Sequence, residues 1–231
     1  MTPLLLLHGA LGCSSTMQAL AHSLSAHIPC RLIDFPCHGS NTQSLQEHSI
    51  QAYAEYLITH IIDHYPGQKL NVFGYSMGGY VALYAALQRP ELFGRIITLA
   101  SKMHWSTAYY EDQEKMLEPD LLENKVPHYA QYLDKLHTAC HWKDLMYHTR
   151  QLMAQLGSCP LLNQHTMKQI QVPVCMGVGD RDQMVSIAET EEYYRYLRQG
   201  SMYVLPSTIH PVEKVNHALL VPIILEFAMK G

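Results

Sequence analysis

The chain has 231 residues, of which 48% are hydrophobic and 16% charged, and its formal net charge is −4 with neutral histidines. This length and apolar content predict one globular domain of ordinary size with a substantial core and room for an inserted cap. The slightly acidic balance argues against nucleic acid as a partner, and no apolar segment is long enough to predict a membrane span.

The first fifteen residues, MTPLLLLHGALGCSS, allow two interpretations. A lipoprotein leader ending at Cys13 would need an early basic residue and a longer apolar stretch, but the first Lys or Arg is Arg31 and the run Leu4–Leu7 is short. A short apolar run that ends near Gly9 is typical of a strand buried on both faces of a parallel sheet. We therefore expect a first strand here and a cytoplasmic protein.

Apolar strand patterns alternate with helical patterns along most of the remaining chain. The predicted strands cover residues 30–34, 70–73, 95–100, 172–178 and 202–205. The predicted helices cover residues 16–26, 45–65, 77–88, 187–198 and 215–229, with Pro222 marking a break or kink in the last. This alternation predicts an α/β fold with a doubly wound, mostly parallel sheet and helices on both faces.

Residues 101–171 break the alternation. They contain both tryptophans and two or three helical patterns without a clear strand. An unusually long helical crossover would explain this pattern, but long connections are more often functional lids, so we expect a helical cap. The predicted organisation is a core domain of residues 1–100 and 172–231 with a cap at residues 101–171.

The cysteine and histidine patterns predict neither disulfides nor a metal site. The six cysteines form no C-x-x-C pair, so reduced thiols in a cytoplasm are expected. The pairs His60/His64 and His137/His141 have the helical spacing of metal ligands, but no third ligand lies nearby in the sequence. Solvated helix faces are therefore the preferred interpretation of both pairs.

The most specific motif is Gly74-Tyr75-Ser76-Met77-Gly78, which lies between a predicted strand and a predicted helix. In this context G-x-S-x-G forms a turn so tight that side chains two residues before and two residues after the serine would clash, so glycine occupies both positions. Ser76 is then expected at a strained apex at the carboxyl end of the sheet, where the N-terminus of the following helix favours negative charge. The motif predicts that Ser76 is a nucleophile.

A serine nucleophile needs a base and a group that orients the base, and both are expected at the ends of later strands. Asp180 and Asp182 follow one strand, and His210 follows the next. We prefer Asp182 because Asp180 adjoins the strand end and is placed to stabilise the turn. We prefer His210 to His217, because His217 lies about two helical turns beyond the loop.

Together these residues resemble the α/β-hydrolase superfamily, within its small esterase-like branch. The resemblance covers nearly the whole chain and rests on His8-Gly9, Asp34-Phe35-Pro36-Cys37-His38-Gly39-Ser40, Gly74 to Gly79, Gly179 to Asp182, and His210. It implies an oxyanion hole formed by the backbone N–H groups of Ala10 and Met77, with Leu11 as a less favoured substitute for Ala10. It also implies that Asp34 and His38 are a turn-stabilising pair.

One departure from the family concerns the N-terminus. Family members usually have a β-hairpin before the His-Gly strand, and the seven residues before His8 leave no room for it. We therefore expect about six strands, with residues 31–34 near an exposed edge, which leaves the protection of this edge and dimerisation through it open.

The expected reaction is hydrolysis of carboxylic esters of small to medium, mainly apolar acyl groups, through an acyl-enzyme and without a metal or organic cofactor. Ser76 would attack, His210 would take its proton, and Asp182 would orient the imidazole. Trp105, Tyr109 and Trp142 are candidates for the substrate pocket, unless they only pack the cap helices together. A small-molecule ester is the expected partner of a monomer or homodimer.

The same residues could also serve thioesters, lactones, amides, carbon–carbon cleavage or perhydrolysis, since this fold does not select among them. A ligand-binding receptor with slow turnover is the alternative from another class.

Overall fold

A computed structural model describes residues 2–229, in which six parallel strands form one sheet in the order β2-β1-β3-β4-β5-β6. The strands are β1 (Leu4–Leu7), β2 (Cys30–Ile33), β3 (Leu70–Tyr75), β4 (Phe93–Leu99), β5 (Val174–Gly179) and β6 (Gly200–Leu205). The predicted α/β fold with about six strands is confirmed, and β2 lies at the predicted edge. Residues 1, 230 and 231, which the predicted core includes, lie outside the described part.

The described chain also contains ten α-helices. They are α1 (Gln18–Ser25), α2 (Ile50–His64), α3 (Met77–Gln88), α4 (Thr107–Gln113), α5 (Pro119–Lys125), α6 (Pro127–Leu136), α7 (Trp142–Ser158), α8 (Gln164–Met167), α9 (Ile187–Tyr196) and α10 (His217–Met229). Pro222 lies inside α10 without ending it. Within residues 2–229, no helix is both long enough and apolar enough to cross a membrane.

The side chains of β1 show how the sheet divides the core. All four leucines are fully buried. Leu4 and Leu6 belong to the apolar layer that α1 and α10 cover, whereas Leu5 and Leu7 belong to the layer beneath α2 and α3. Since successive strand side chains point to opposite faces, a continuous apolar run is what a strand covered on both faces requires.

Because all strands are parallel, their carboxyl ends meet at one edge of the sheet. The segments that follow β1, β3, β5 and β6 at this edge contain Ala10, Ser76, Asp182 and His210, respectively. In open α/β sheets this edge is where ligands bind. The topology therefore brings together residues that are up to 200 positions apart in the chain.

The segment between β4 and β5 is helical, as predicted, and contains α4 to α8. Ala130, Leu133, Trp142 and Met146 form a small apolar cluster of their own, and Leu11 from the loop after β1 packs against it. The segment thus contacts the carboxyl edge of the sheet. Its role as a separate cap stays a prediction.

A disulfide joins Cys37, in the turn after β2, to Cys140, just before α7. The prediction of reduced thiols is wrong for this pair. The two residues are 103 positions apart, so their pairing depends on how the helical segment folds onto the core. No local spacing pattern could show that contact.

Candidate active site

The turn that holds Ser76 is as tight as the motif predicts. Ser76 has φ 50° and ψ −117°, a left-handed conformation that is strained for a residue with a side chain. A Cβ atom at Gly74 would lie 2.5 Å from the Gly79 nitrogen, and one at Gly78 would lie 2.6 Å from the His8 carbonyl oxygen. Only glycine fits at these two positions, and the close packing fixes Ser76 at the apex.

Hydrogen bonds from β4 and the residues after it hold the same turn from the other side. The Ser76 amide donates to the Leu99 carbonyl over 2.8 Å. The Ser101 hydroxyl donates to the Ser76 carbonyl over 2.9 Å. These bonds offset part of the strain at Ser76 and limit its movement.

His210 and Asp182 form a close pair beside this turn. His210 Nδ1 donates to Asp182 Oδ2 over 2.7 Å. The other carboxylate oxygen of Asp182 accepts from the amides of Met184 and Val185 over 2.8 and 2.9 Å. Only 1% of the Asp182 side chain is exposed, so these donors replace water around the carboxylate and fix its orientation.

The two alternatives weighed from the sequence lie elsewhere. Asp180 Oδ1 accepts from the Thr208 amide over 3.1 Å, and hydrogen bonds from the backbone of Ser207 and Thr208 lower the pKa of Asp180. His217 Nδ1 lies 3.0 Å from the Ser23 hydroxyl of α1. The structure therefore pairs His210 with Asp182, while Asp180 stabilises the turn that leads to His210.

The two predicted oxyanion donors flank Ser76. A Cβ atom at Gly9 would lie 3.1 Å from Ser76 Cβ, so the loop containing Ala10 passes directly beside the serine. Met77 is the first residue of α3, and amides in the first turn of a helix have no partner within the helix. Leu11, the less favoured donor, adopts φ 56° and packs against the Trp142 cluster.

Two buried histidines support this loop. His8 Nδ1 donates to the Gly9 carbonyl over 2.8 Å, and His8 Nε2 accepts from the Phe35 amide over 3.1 Å. His137 Nε2 donates to the Leu11 carbonyl over 3.0 Å, and His137 Nδ1 accepts from the Gly39 amide over 2.9 Å. Each ring uses one nitrogen as donor and the other as acceptor, which requires the neutral imidazole.

The contacts of His137 could not be predicted from its sequence spacing. Its spacing from His141 indicated a helix face, but His137 follows the end of α6 and contacts a loop 126 residues away. The pair His60/His64 does share a helix, with stacked rings 4.3 Å apart. Asp34 Oδ1 accepts from the Ser14 amide, outside its own turn, and Asp34 Oδ2 lies 3.5 Å from the Ser40 amide within the turn. His38 Nδ1 donates to the Pro36 carbonyl over 3.0 Å.

The neutral state of His8 predicts that acid destabilises the fold. Burial lowers the pKa of His8 from 6.5 to about 4. The unfolded chain therefore binds a proton below pH 6.5 that the folded protein binds only near pH 4, and stability falls as the pH drops through this window. We expect His8 alone to lower the free energy of unfolding by about 2 kcal/mol between pH 7.5 and pH 5. Urea unfolding at the two pH values measures this change.

The control for this prediction separates His8 from other groups. His8→Gln should lower stability at pH 7.5 and should reduce its loss toward pH 5, whereas substitution of the exposed His165 should leave the pH dependence unchanged. An equal pH dependence in His8→Gln and wild type would contradict this account of the loop.

Tyr75 and Glu189 are two further supporting residues that the sequence analysis missed. The Tyr75 hydroxyl donates to the His210 carbonyl over 2.8 Å. Glu189 is 3% exposed and accepts from the Met103 and His104 amides over 2.6 and 2.9 Å. It also lies 3.2 Å from Lys102 Nζ. The signal for Glu189 is the S-x-x-E capping box that begins α9 at Ser186.

Two cavities meet at Ser76 and His210. The smaller, of about 80 Å³, extends along α3 and is largely apolar; its lining includes Ala10, Ser76, Met77, Tyr80, Lys102, Trp105, Tyr109, Leu152, Leu156 and His210. The larger, of about 420 Å³, is more open and extends along the loop after β6; its lining includes Gly9, Ala10, Leu11, Ser76, Met116, Tyr129, Tyr132, His210, Pro211 and Glu213. A reacting carbonyl at Ser76 would thus have space on two sides.

The three aromatic residues predicted to line the pocket have different locations. Trp105 and Tyr109 line the smaller cavity, and their rings pack edge to face with centroids 5.6 Å apart. Trp142 is 4% exposed and packs in the cluster with Ala130 and Leu133. Trp142 lines neither of the two cavities. It packs helices of this segment together, which is the alternative to a pocket role considered from the sequence.

A family model of the alpha/beta hydrolase fold matches residues 2–229. The chain therefore belongs to the α/β-hydrolase family, which confirms the resemblance seen in the sequence. Among solved structures, NosK from Streptomyces actuosus has a TM-score of 0.81 at 18% identity and covers 98% of this chain and 97% of its own. A thermophilic esterase from Thermogutta terrifontis has a TM-score of 0.77 at 17% identity, and the match covers 98% of this chain and 89% of the esterase. At these identities the similarity shows the fold alone.

A curated relative of this chain is the pimeloyl-(acyl-carrier protein) methyl ester esterase of Vibrio cholerae. It is 28% identical over 119 residues, which cover 52% of this chain and 43% of the relative. The matched segment therefore spans less than half of the relative's own length.

Proposed function

We propose that the protein hydrolyses carboxylic esters through an acyl-enzyme formed on Ser76. The observation that carries the proposal is the 2.7 Å pair of His210 Nδ1 and Asp182 Oδ2 beside the cavity that Ser76 lines. With Nδ1 protonated, His210 Nε2 is the unprotonated nitrogen that can accept the serine proton. The relative named as a methyl ester esterase supports ester hydrolysis as the reaction class.

In the proposed first half-reaction, the Ser76 oxygen attacks the ester carbonyl as His210 takes its proton. Asp182 then faces an imidazolium and stabilises it electrostatically. The amides of Ala10 and Met77 donate to the developing oxyanion, each contributing about 3–4 kcal/mol to transition-state stabilisation. His210 returns the proton to the leaving alcohol, and the acyl group stays on Ser76.

In the second half-reaction, His210 takes a proton from water, which attacks the acyl carbonyl. The ester bond to Ser76 breaks, the proton returns to the serine oxygen, and the free acid leaves. These steps use only side chains and backbone amides of this chain, together with water.

The two cavities suggest which part of the ester lies where. The leaving oxygen must lie close to His210, because His210 protonates it. The larger cavity extends along the residues that follow His210, so we assign the alcohol part to it. The acyl part then occupies the smaller apolar cavity along α3, beside Met77 and Tyr80. The preferred substrates combine a short apolar acyl group with a larger leaving group.

The experiment compares two ester series. With p-nitrophenyl esters from acetate to decanoate, kcat/KM should be highest for short chains and at least about tenfold lower for decanoate, because overfilling a packed cavity costs about 1–3 kcal/mol. With acetate esters of increasingly long alcohols, kcat/KM should not fall in this way. Hydrolysis of the second series is followed by the acid released.

Matched substitutions in the two cavities test the assignment. Trp105→Ala enlarges the smaller cavity and should shift the acyl optimum to longer chains. Met116→Ala, at a residue that is 69% exposed in the larger cavity, should leave the acyl optimum in place and lower kcat/KM for long alcohols. The assignment of the cavities would be contradicted if the wild type hydrolysed esters of long acyl groups well and esters of long alcohols poorly. A folded protein inactive on all esters would contradict the ester reaction itself.

A further inference from the structure

Three residues outside the active site bring together the ligand atoms of a metal site. Cys37 Sγ, Cys140 Sγ and an imidazole nitrogen of His148 all lie within 4.8 Å of one another. Cys37 comes from the turn after β2, Cys140 precedes α7, and His148 lies on α7. The two sulfurs are bonded in the disulfide described above.

The donor set favours a particular class of metal ion. Thiolate and imidazole are the preferred ligands of Zn²⁺, whereas Mg²⁺ and Ca²⁺ prefer oxygen. A tetrahedral Zn²⁺ ion with bonds of about 2.0–2.3 Å keeps its ligand atoms about 3–4 Å apart. The imidazole nitrogen lies within 4.8 Å of both sulfurs, so a small approach of the ring, together with separation of the two sulfurs after reduction, brings the three groups to this spacing and leaves a fourth position for water.

Contacts that do not involve the disulfide hold the three groups in place. The amides of Thr138 and Ala139 donate to the Gly39 carbonyl over 2.9 and 3.1 Å, which joins the two cysteine-bearing segments. The His148 ring stacks on His48, with centroids 3.8 Å apart and an angle of 19° between the rings. His48 is itself 2.9 Å from the Tyr53 hydroxyl. Reduction of the disulfide thus leaves the two thiols beside the imidazole.

We propose that Cys37, Cys140 and His148 bind Zn²⁺ when the two thiols are reduced, and that the disulfide is the oxidised, metal-free form of the same site. Zn²⁺ replaces the two thiol protons and forms bonds to both sulfurs and to a His148 nitrogen. The reverse conversion requires an oxidant, for which a small-molecule disulfide suffices. The two thiolates give up two electrons and form the Cys37–Cys140 bond, the small disulfide takes up these electrons and two protons from water to become two thiols, and Zn²⁺ leaves.

The site adjoins the loop that supports the proposed oxyanion hole. His137, three residues before Cys140, bonds to both Gly39 and Leu11. Zn²⁺ or the disulfide would each fasten residues 137–141 to the turn after β2. Either form keeps His137 against the loop.

The test uses protein reduced with a phosphine, freed of reductant and metal under argon, and titrated with Co²⁺ and then Zn²⁺. The reduced wild type should bind one equivalent of Co²⁺ with a thiolate-to-cobalt charge-transfer band that Zn²⁺ abolishes. Cys37→Ser and Cys140→Ser should lose the band, and His148→Gln should bind at least about tenfold more weakly. Cys159→Ser, at an exposed free cysteine that is not one of the three ligands, is the matched control and should behave as wild type.

The comparison of reduced and oxidised wild type needs no substitution and stands even if a variant fails to fold. The oxidised protein should show no charge-transfer band, and adding a small-molecule disulfide to the Zn²⁺ form should release one equivalent of Zn²⁺. A reduced, folded wild type without the band would overturn the proposal. A band of unchanged intensity in Cys37→Ser would overturn it as well, because the ligands would then be other thiols.

Discussion

Ser76→Ala is expected to lower kcat for ester hydrolysis by at least about 10⁴-fold while leaving the fold intact. The substitution removes the only atom that forms the acyl-enzyme, and the residual rate would come from the oxyanion amides and substrate binding. Alanine fits the space of serine, and the Ser76 hydroxyl is not needed for the backbone bonds to Leu99 and Ser101. Ester hydrolysis by purified variants, with circular dichroism as a check of folding, measures the effect.

The matched control is Ser158→Ala, which removes an exposed hydroxyl at the end of α7. It should retain the activity of the wild type. Retained activity in a folded Ser76→Ala would show that the reaction does not pass through Ser76.

The second large effect is expected from Asp182→Asn, which should lower kcat by about 10⁴-fold. The backbone N–H groups of Met184 and Val185 would continue to donate to the side-chain oxygen of the new carboxamide, as they do to Asp182 Oδ1. The NH₂ group of that side chain would then face His210 Nδ1. His210 would then carry its proton on Nε2, where it cannot accept the proton of Ser76. The pH dependence of kcat and a chemical-shift measurement of the His210 tautomer test this cause directly.

Asp180→Asn is the isosteric control for Asp182→Asn. Asp180 contacts the Thr208 amide and not the His210 ring. Its substitution should lower thermal stability and leave kcat within about tenfold of wild type. The opposite result, with Asp180→Asn inactive and Asp182→Asn active, would show that Asp180 and not Asp182 orients His210.

Local pattern and chain order were enough to predict much of the candidate site. Ser76, Asp182 and His210 each follow a predicted strand, and parallel strands end at one edge of a sheet, so their proximity could be expected before any coordinates. The choice of Asp182 over Asp180 rested on turn chemistry alone. The distances agree with that choice, while the catalytic role of each residue stays a prediction.

What the sequence could not predict depends on contacts between distant segments. Cys37 and Cys140 meet because the helices between β4 and β5 fold back onto the turn after β2. The same packing of these helices brings His137 to the Leu11 carbonyl. The location of Trp142 depends on how α6 and α7 pack. Hydrophobic periodicity predicts that such a face is buried but not which partner buries it.

Labelling with a fluorophosphonate tests most directly whether Ser76 is an activated nucleophile. The serine oxygen would attack phosphorus and displace fluoride, and the product is a stable phosphonyl ester on the serine. Intact-mass analysis counts the labels, and peptide mapping locates them. We expect one label per chain, on Ser76, formed rapidly by wild type and Asp180→Asn and far more slowly by His210→Ala. A folded protein that takes up no label, or takes it up at another residue, would contradict the account.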